Sequence, residues 1–403
     1  MSSKPIDRLK VVVKSTIVKQ MKIAIVSYQI ATSRKRTSFH FIAEGMHEIG
    51  WDVRFITTGI SRLDQIQRRE RWYDAVAHGL NTLRIRDDRF ASYVHCPLVH
   101  PKATSTAALK ELMGVFTRPY QRSLAASVVP LLNDSDVVLL ESCDGVLMLN
   151  EKAQAYAADA LIAYRPSDLL TAIGIHRSVL DSFLKSRSRI DRVFLPSALM
   201  RSSDEIAGID PDKISVLPHG TPRVVIELRG KAPTNPFGFS SQHLNVMTVG
   251  GMSFDSEFVS SSLPLVDEYT FHLFGELPGV KQSRNVLLYG EQKYEKIVAQ
   301  AASADVGAAF YKAGSPSYLL ETSNKIRIFQ ALGKPVVCPF ELDSAAESRG
   351  LFSYSPHSID SFRASLGRAL KYKDKRLEGG NSWDDTCRHL SGALMDDLEA
   401  RKR

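Results

Sequence analysis

The chain has 403 residues, 44% of them hydrophobic and 24% charged, ordinary values for a globular protein long enough for about two domains. Its net charge of +8 is unevenly placed: residues 1–122 hold 21 Lys and Arg against 10 Asp and Glu, while the remainder holds 31 against 34, so the N-terminal part presents the basic surface that suits an anionic bilayer or polymer. That part lacks stacking aromatics on a basic sheet, which argues against nucleic acid as a partner. No apolar run reaches the length of a membrane span.

Met21 stands directly before the first apolar run, so residues 1–20 read as a basic extension or a misassigned start; its Val11-Val12-Val13 is no signal-peptide core. The run 22–28, the helical pattern Phe39, Ile42, Ala43 and Met46, and the run 53–57 form a strand, helix, strand unit. In the loop after its first strand, Arg34, Lys35 and Arg36 are either an anion-binding cluster or a solvated charge run, and the nearby His40 is an anion contact or a satisfied core histidine. Leu63, Ile66, Tyr73, Val76 and Leu80 recur at helical spacing, with Arg68, Arg69, Arg71 and Trp72 elsewhere on the surface. This reads as an interfacial helix or as ordinary core packing. Leu109, Leu112, Met113, Val115 and Phe116, followed by Arg118 and Arg122, make a second such stretch. Apolar runs at 137–140, 161–164, 193–195 and 214–217 alternate with helical stretches, the pattern of a parallel sheet covered on both faces. A first Rossmann-like domain is therefore expected over 21–225.

Asp168, in Tyr164-Arg165-Pro166-Ser167-Asp168, follows the 161–164 run, at the strand end where open α/β sheets bind ligands. It is the candidate general base, or the cap of a helix through Leu169, Leu170 and Ile173. His219, in Pro218-His219-Gly220 at the domain junction, is an anion contact or a satisfied histidine. Residues 226–242 carry the Pro, Gly, Ser and Asn of a linker. Runs at 246–249, 271–274, 286–289, 306–310 and 336–338 then build a second α/β domain over 243–380, and 381–403 is a helix able to cross back to the first domain. Neither domain has a G-x-G-x-x-G loop. Gly250-Gly251, Gly275 and Gly290 follow strands instead, where a missing side chain lets a ligand approach the backbone.

The richest stretch is 321–337, a helix opening on Thr322, Ser323, Asn324 and Lys325 and leading into a strand. A helix start leaves N–H groups unpaired and carries partial positive charge, so these residues either cap it or turn donors toward a diphosphate. Lys325 adds the full charge that a nucleoside diphosphate leaving group needs. No D-x-D pair follows a strand, so no catalytic divalent ion is expected; no cofactor is expected either, the sugar nucleotide being the donor substrate. Cys96, Cys143, Cys338 and Cys387 form no C-x-x-C pair, which indicates neither zinc nor a disulfide framework and fits a reducing cytoplasm.

The segments 34–41, 164–168, 249–258, 289–291 and 323–325 together resemble the bacterial xanthan-type β-glucuronosyltransferases, over about 22–383. The resemblance implies the two-domain GT-B fold and an inverting, metal-independent, peripheral enzyme on the cytoplasmic face of the inner membrane. Such an enzyme moves glucuronate from UDP-glucuronate to a mannose on a polyprenyl-diphosphate-linked oligosaccharide. It implies Asp168 as base, Lys325 on the diphosphate or sugar carboxylate, and Met252, Glu291, Tyr311, Ser323 and Asn324 around UDP. Two positions depart: Asn324 replaces a methionine and Ile328 a glutamine that contacts the nucleotide sugar. Ile328 also stands where retaining relatives of this fold carry the second glutamate of E-x7-E, which argues against retention. The rival readings are another UDP-hexose donor and a non-catalytic nucleotide-sugar or polysaccharide-binding component.

Overall fold

The computed structural model describes residues 20–67, 70–102, 107–149, 159–229, 231–372 and 381–403. The expected extension lies outside these apart from Gln20, as do Arg68, Arg69 and the side chain of Leu109.

Two sheets carry the chain. The first contains β1 (Lys22–Ser27), β2 (Asp52–Thr57), β3 (Leu83–Asp87), β4 (Phe90–Val94), β5 (Val137–Glu141), β6 (Leu161–Arg165), β7 (Arg192–Leu195) and β8 (Ile214–Val216), in the order β3-β4-β2-β1-β5-β6-β7-β8. β5 and β6 are buried at every position, as continuous apolar strands must be when helices cover both faces of a parallel sheet. The second contains β9 (Leu244–Val249), β10 (Tyr269–Phe274), β11 (Val286–Gly290), β12 (Val306–Ala308), β13 (Val336–Cys338) and β14 (Leu351–Ser353), in the order β11-β10-β9-β12-β13-β14, parallel throughout. In each sheet the chain runs outward to one side and then restarts on the other, so crevices open beside β1/β5 and β9/β12. Ligands of open α/β sheets bind at such switch points.

The structure adds elements that periodicity missed. β3 pairs antiparallel with β4. Its Leu83 and Ile85 are exposed, so no buried stripe marked it as part of the sheet. Residues 223–228 of the junction form a helix, Arg223–Leu228, which buries Val225 and ties to the second sheet's helices through Arg229 Nε donating to Ala331 O at 2.7 Å. The stretch 63–80 holds two short helices, Asp64–Gln67 and Glu70–His78. Trp72 is corrected from surface to core, packing with Ile30, Ile60, Ala75, Val94 and Cys96, while Leu63, Ile66, Tyr73 and Val76 stay exposed. Core packing thus accounts for Trp72 and, of the apolar stripe, for Leu80 alone, which packs partly buried against the same cluster.

The C-terminal helix Trp383–Ala400 begins on a Ser382/Asp385 capping box and packs on the first sheet's helix Ser38–Glu48. Trp383 stacks on Phe41, and Trp51 Nε1 donates to Ser391 Oγ at 2.9 Å. The returning chain crosses the junction at Gly220, where an added Cβ would lie 2.4 Å from the Trp383 backbone. Gly220→Ala must therefore push two backbone segments apart. Overpacking of this kind costs about 1–3 kcal/mol, so the variant is expected to unfold at lower temperature, as circular dichroism melting will record.

Candidate active site between the sheets

The carboxyl ends of the strands at both switch points border one cleft of about 630 Å³, a volume suited to a small ligand. From the first sheet, Tyr28, Gln29 and Lys35 follow β1, Ser142 and Asp144 follow β5, and Ser167 and Asp168 follow β6. From the second, Gly250 and Met252 follow β9, Gly275 follows β10, Glu291 follows β11 and Tyr311 follows β12. Ser323, Asn324 and Lys325 complete the lining at the start of the helix Asn324–Ala331. Gly250 and Gly275 have positive φ, and a Cβ on Gly275 would sit 3.1 Å from Gly250 Cα. Only glycine allows both conformations and that approach of the two loops.

Asp168 lies in a turn; the next helix begins at Arg177, so no helix exists through Leu169 for it to cap. Burial pushes its carboxyl up to about 7, the negative charge of Glu141 adds to this, and the Tyr318 hydroxyl and Lys325 pull the other way. Tyr318 comes from the second sheet's half of the chain. Its hydroxyl bonds the Asp168 carboxylate and accepts from Leu169 N at 3.2 Å. Behind the turn, buried Glu141 accepts from Ser27 Oγ, from Tyr28 N at 3.0 Å and from Ser167 Oγ at 2.7 Å. A carboxylate with these donors holds the β1 loop and the Asp168 turn together.

Lys325 is buried, and its Nζ donates to Met252 O at 2.7 Å and lies 4.4 Å from the Tyr311 ring centroid. Burial pushes its ammonium down to about 7, Lys35 from the opposite wall adds to this, and Asp168 opposes it. Ser323 caps the helix: its Oγ accepts from Lys325 N at 3.2 Å and bonds the Tyr311 hydroxyl. Asn324 is exposed in the cleft, Met252 is half-exposed, and Glu291 accepts from Glu276 N at 3.4 Å. All six expected donor-side residues thus border the same space.

The N-terminal candidates divide. Lys35 and Arg36 line the cleft and Arg34 does not. Of the two readings of His40 the structure shows the satisfied core histidine: it is buried outside the cleft lining, its Nδ1 accepts from Thr37 N at 3.1 Å and its Nε2 bonds Ile30 O at 2.8 Å. Burial holds its imidazole down to about 4, so a neutral ring with both nitrogens engaged is no anion site. His219 does line the cleft, but burial and the charges of Arg165 and Arg327 keep it neutral; it can share a hydrogen bond, not a charge. Sequence reasoning passed over Tyr318 and Glu141. Glu141 carried a signal, a carboxylate ending an apolar run, whereas Tyr318 carried none.

Residues 25–196 match the family described as "Glucuronosyltransferase GumK, N-terminal domain". The chain is 27% identical, over 87% of its length and 84% of the relative's, to the UDP-glucuronate:glycolipid 2-beta-glucuronosyltransferase of Xanthomonas campestris pv. campestris. Among solved structures, the sucrose-phosphate synthase of Thermosynechococcus elongatus aligns with a TM-score of 0.62 at 11% identity, covering 95% of this chain and 100% of that one. Anabaena Alr3699/HepE in complex with UDP and glucose aligns at 0.54 and 13% identity, covering 95% and 98%. At these identities the structural likeness establishes the GT-B fold.

Proposed function

We propose, from the premise that the chain is a glycosyltransferase of the xanthan-type β-glucuronosyltransferase family, that it transfers glucuronate from UDP-glucuronate to a polyprenyl-diphosphate-linked oligosaccharide, with inversion. An acceptor hydroxyl attacks the anomeric carbon as the bond from that carbon to the diphosphate oxygen breaks. Asp168 takes the hydroxyl proton, and Lys325 with the start of helix Asn324–Ala331 receives the charge that develops on UDP. The cation is built into the protein, so the step is assigned no metal and no cofactor. The observation carrying this reading is that one cleft holds a carboxylate from the first sheet's half and an ammonium from the second's, each shifting the other's protonation.

A polyprenyl-diphosphate-linked acceptor and a UDP-sugar donor together suit an enzyme that works peripherally on the cytoplasmic face of the bacterial inner membrane. Among the described residues no helix is long and apolar enough to cross a membrane. The exposed Leu63, Ile66, Tyr73 and Val76, with Leu112 and Val115, support an interfacial contact. The basic N-terminal part supports an anionic one, worth about 1 kcal/mol per cation near the surface.

The test is UDP release from a panel of UDP-sugars, with and without membrane-extracted lipid-linked acceptor. Acceptor-dependent turnover with UDP-glucuronate is expected. Preference for another UDP-hexose would replace the donor assignment, a reading favoured by Ile328, which lines the cleft as an apolar residue. UDP binding without turnover on any donor would leave a binding component.

Tyr318→Phe removes the hydroxyl that favours ionised Asp168. The acidic limb of the kcat profile, measured at saturating donor, is expected to move to higher pH, by up to about one unit for one hydrogen bond, with kcat largely restored at alkaline pH. An unmoved limb would detach Tyr318 from the base.

A further inference from the structure

Asp144 follows β5 and opens the 3-10 turn Asp144–Leu149. It lines the cleft yet is only 7% exposed. Among the described residues its carboxyl group accepts no hydrogen bond; burial pushes it up to about 7, the charge of Arg71 opposes this and that of Asp64 adds to it. Buried carboxylates are ordinarily satisfied by donors, and one that is not is costly unless a ligand completes it.

The nearby cations are committed elsewhere. The Arg71 guanidinium lies 3.4 Å from the Tyr28 ring centroid and donates to Gly59 O at 2.6 Å, Thr58 O at 2.9 Å and Tyr28 O. Lys102 Nζ donates to Asp64 Oδ1 at 2.7 Å. A phosphate here would meet two carboxylates, Asp64 and Asp144, and cations already engaged. A neutral ring bearing hydroxyls would instead supply the donors Asp144 lacks, against apolar walls that include Ile60 and Trp72.

We propose that Asp144 binds hydroxyl groups of a neutral sugar ring of the acceptor. This rests on the glycosyl-transfer reading above. β5 and β6 are neighbours in the sheet, so a sugar held at the end of β5 by Asp144 stands beside Asp168 at the end of β6, with another of its hydroxyls free to react. Asp144 is a binding residue in this arrangement, and the proton still goes to Asp168.

The test compares the native chain with Asp144→Asn and Asp144→Ala. Acceptor KM is measured with lipid-linked acceptor at saturating UDP-glucuronate, and UDP affinity by calorimetry. Saturation-transfer NMR with methyl α-mannopyranoside reads sugar binding without turnover. The acceptor KM is expected to rise at least about tenfold, as for loss of a buried charged hydrogen-bond partner, with UDP affinity unchanged and the mannoside signal lost. An unchanged acceptor KM in both variants overturns the proposal. So does a parallel loss of UDP affinity, which would make Asp144 a support of the cleft itself. A native chain that turns over no UDP-sugar but shows mannoside binding dependent on Asp144 removes the transferase reading, and with it the acceptor, and leaves Asp144 as a sugar-binding residue.

Discussion

Asp168→Asn is expected to lower kcat by two to four orders of magnitude, the range for loss of a positioned general base. The amide keeps the shape of the side chain and its bond with Tyr318, so UDP should still bind and the fold should hold. The carboxyl of Asp168 is pushed up to about 7 by burial and by Glu141. A base so tuned is half-ionised near neutrality and strong enough to take a hydroxyl proton as the oxygen loses electron density. The sign follows directly: protonation below that pKa removes the base, so the native rate should fall as pH drops through about 7, and the variant should lack this limb. There is a secondary effect. Asp168 favours the charged form of Lys325, so the variant should lose UDP affinity at lower pH than the native chain does. Activity within a factor of about ten of native would take Asp168 out of the mechanism.

The strands that position this site were legible because each is a buried apolar run ending in polar residues, as β5 and β6 are. Asp168 was legible by the same rule, being the carboxylate just past such a run. Asp144 stands in the same relation to β5 and was not singled out, because strand-end position alone does not distinguish a satisfied carboxylate from an unsatisfied one. His40 kept two readings because its neighbours Arg34 to Arg36 suggested an anion site; the structure closes both ring nitrogens on backbone groups, which leaves the satisfied core histidine. β3 escaped because an exposed edge strand carries no hydrophobic stripe, and β14 because its apolar pair Leu351-Phe352 is shorter than the runs that marked the other strands. Tyr318 was beyond reach for a different reason: it bonds Leu169 across 149 residues of chain, a pairing decided by how the two halves face each other and by nothing local to either segment.

Lys325→Met should cost about two to three orders of magnitude in kcat, the scale for losing one preorganised group aimed at developing charge, and should weaken UDP binding as well. Burial and Lys35 push the ammonium down to about 7, so in the free enzyme it discharges as pH rises, and kcat/KM for the donor should decline on the alkaline side. With Asp168 requiring ionisation and Lys325 requiring protonation, the native profile of kcat/KM is a bell centred near neutrality. Each variant should erase its own limb: Asp168→Asn the acidic one, Lys325→Met the alkaline one. The profile of kcat should differ. Bound diphosphate places negative charge beside Lys325 and favours its protonated form, so the alkaline limb should shift upward or vanish once donor is saturating, because kcat reports the pKa values of the complex. Added Mg²⁺ should not restore Lys325→Met, and chelation should not slow the native chain, if the lysine is the charge the leaving group requires. Rescue by the metal would instead show that the cleft works with a cation it does not itself supply, and would return the diphosphate to an ion.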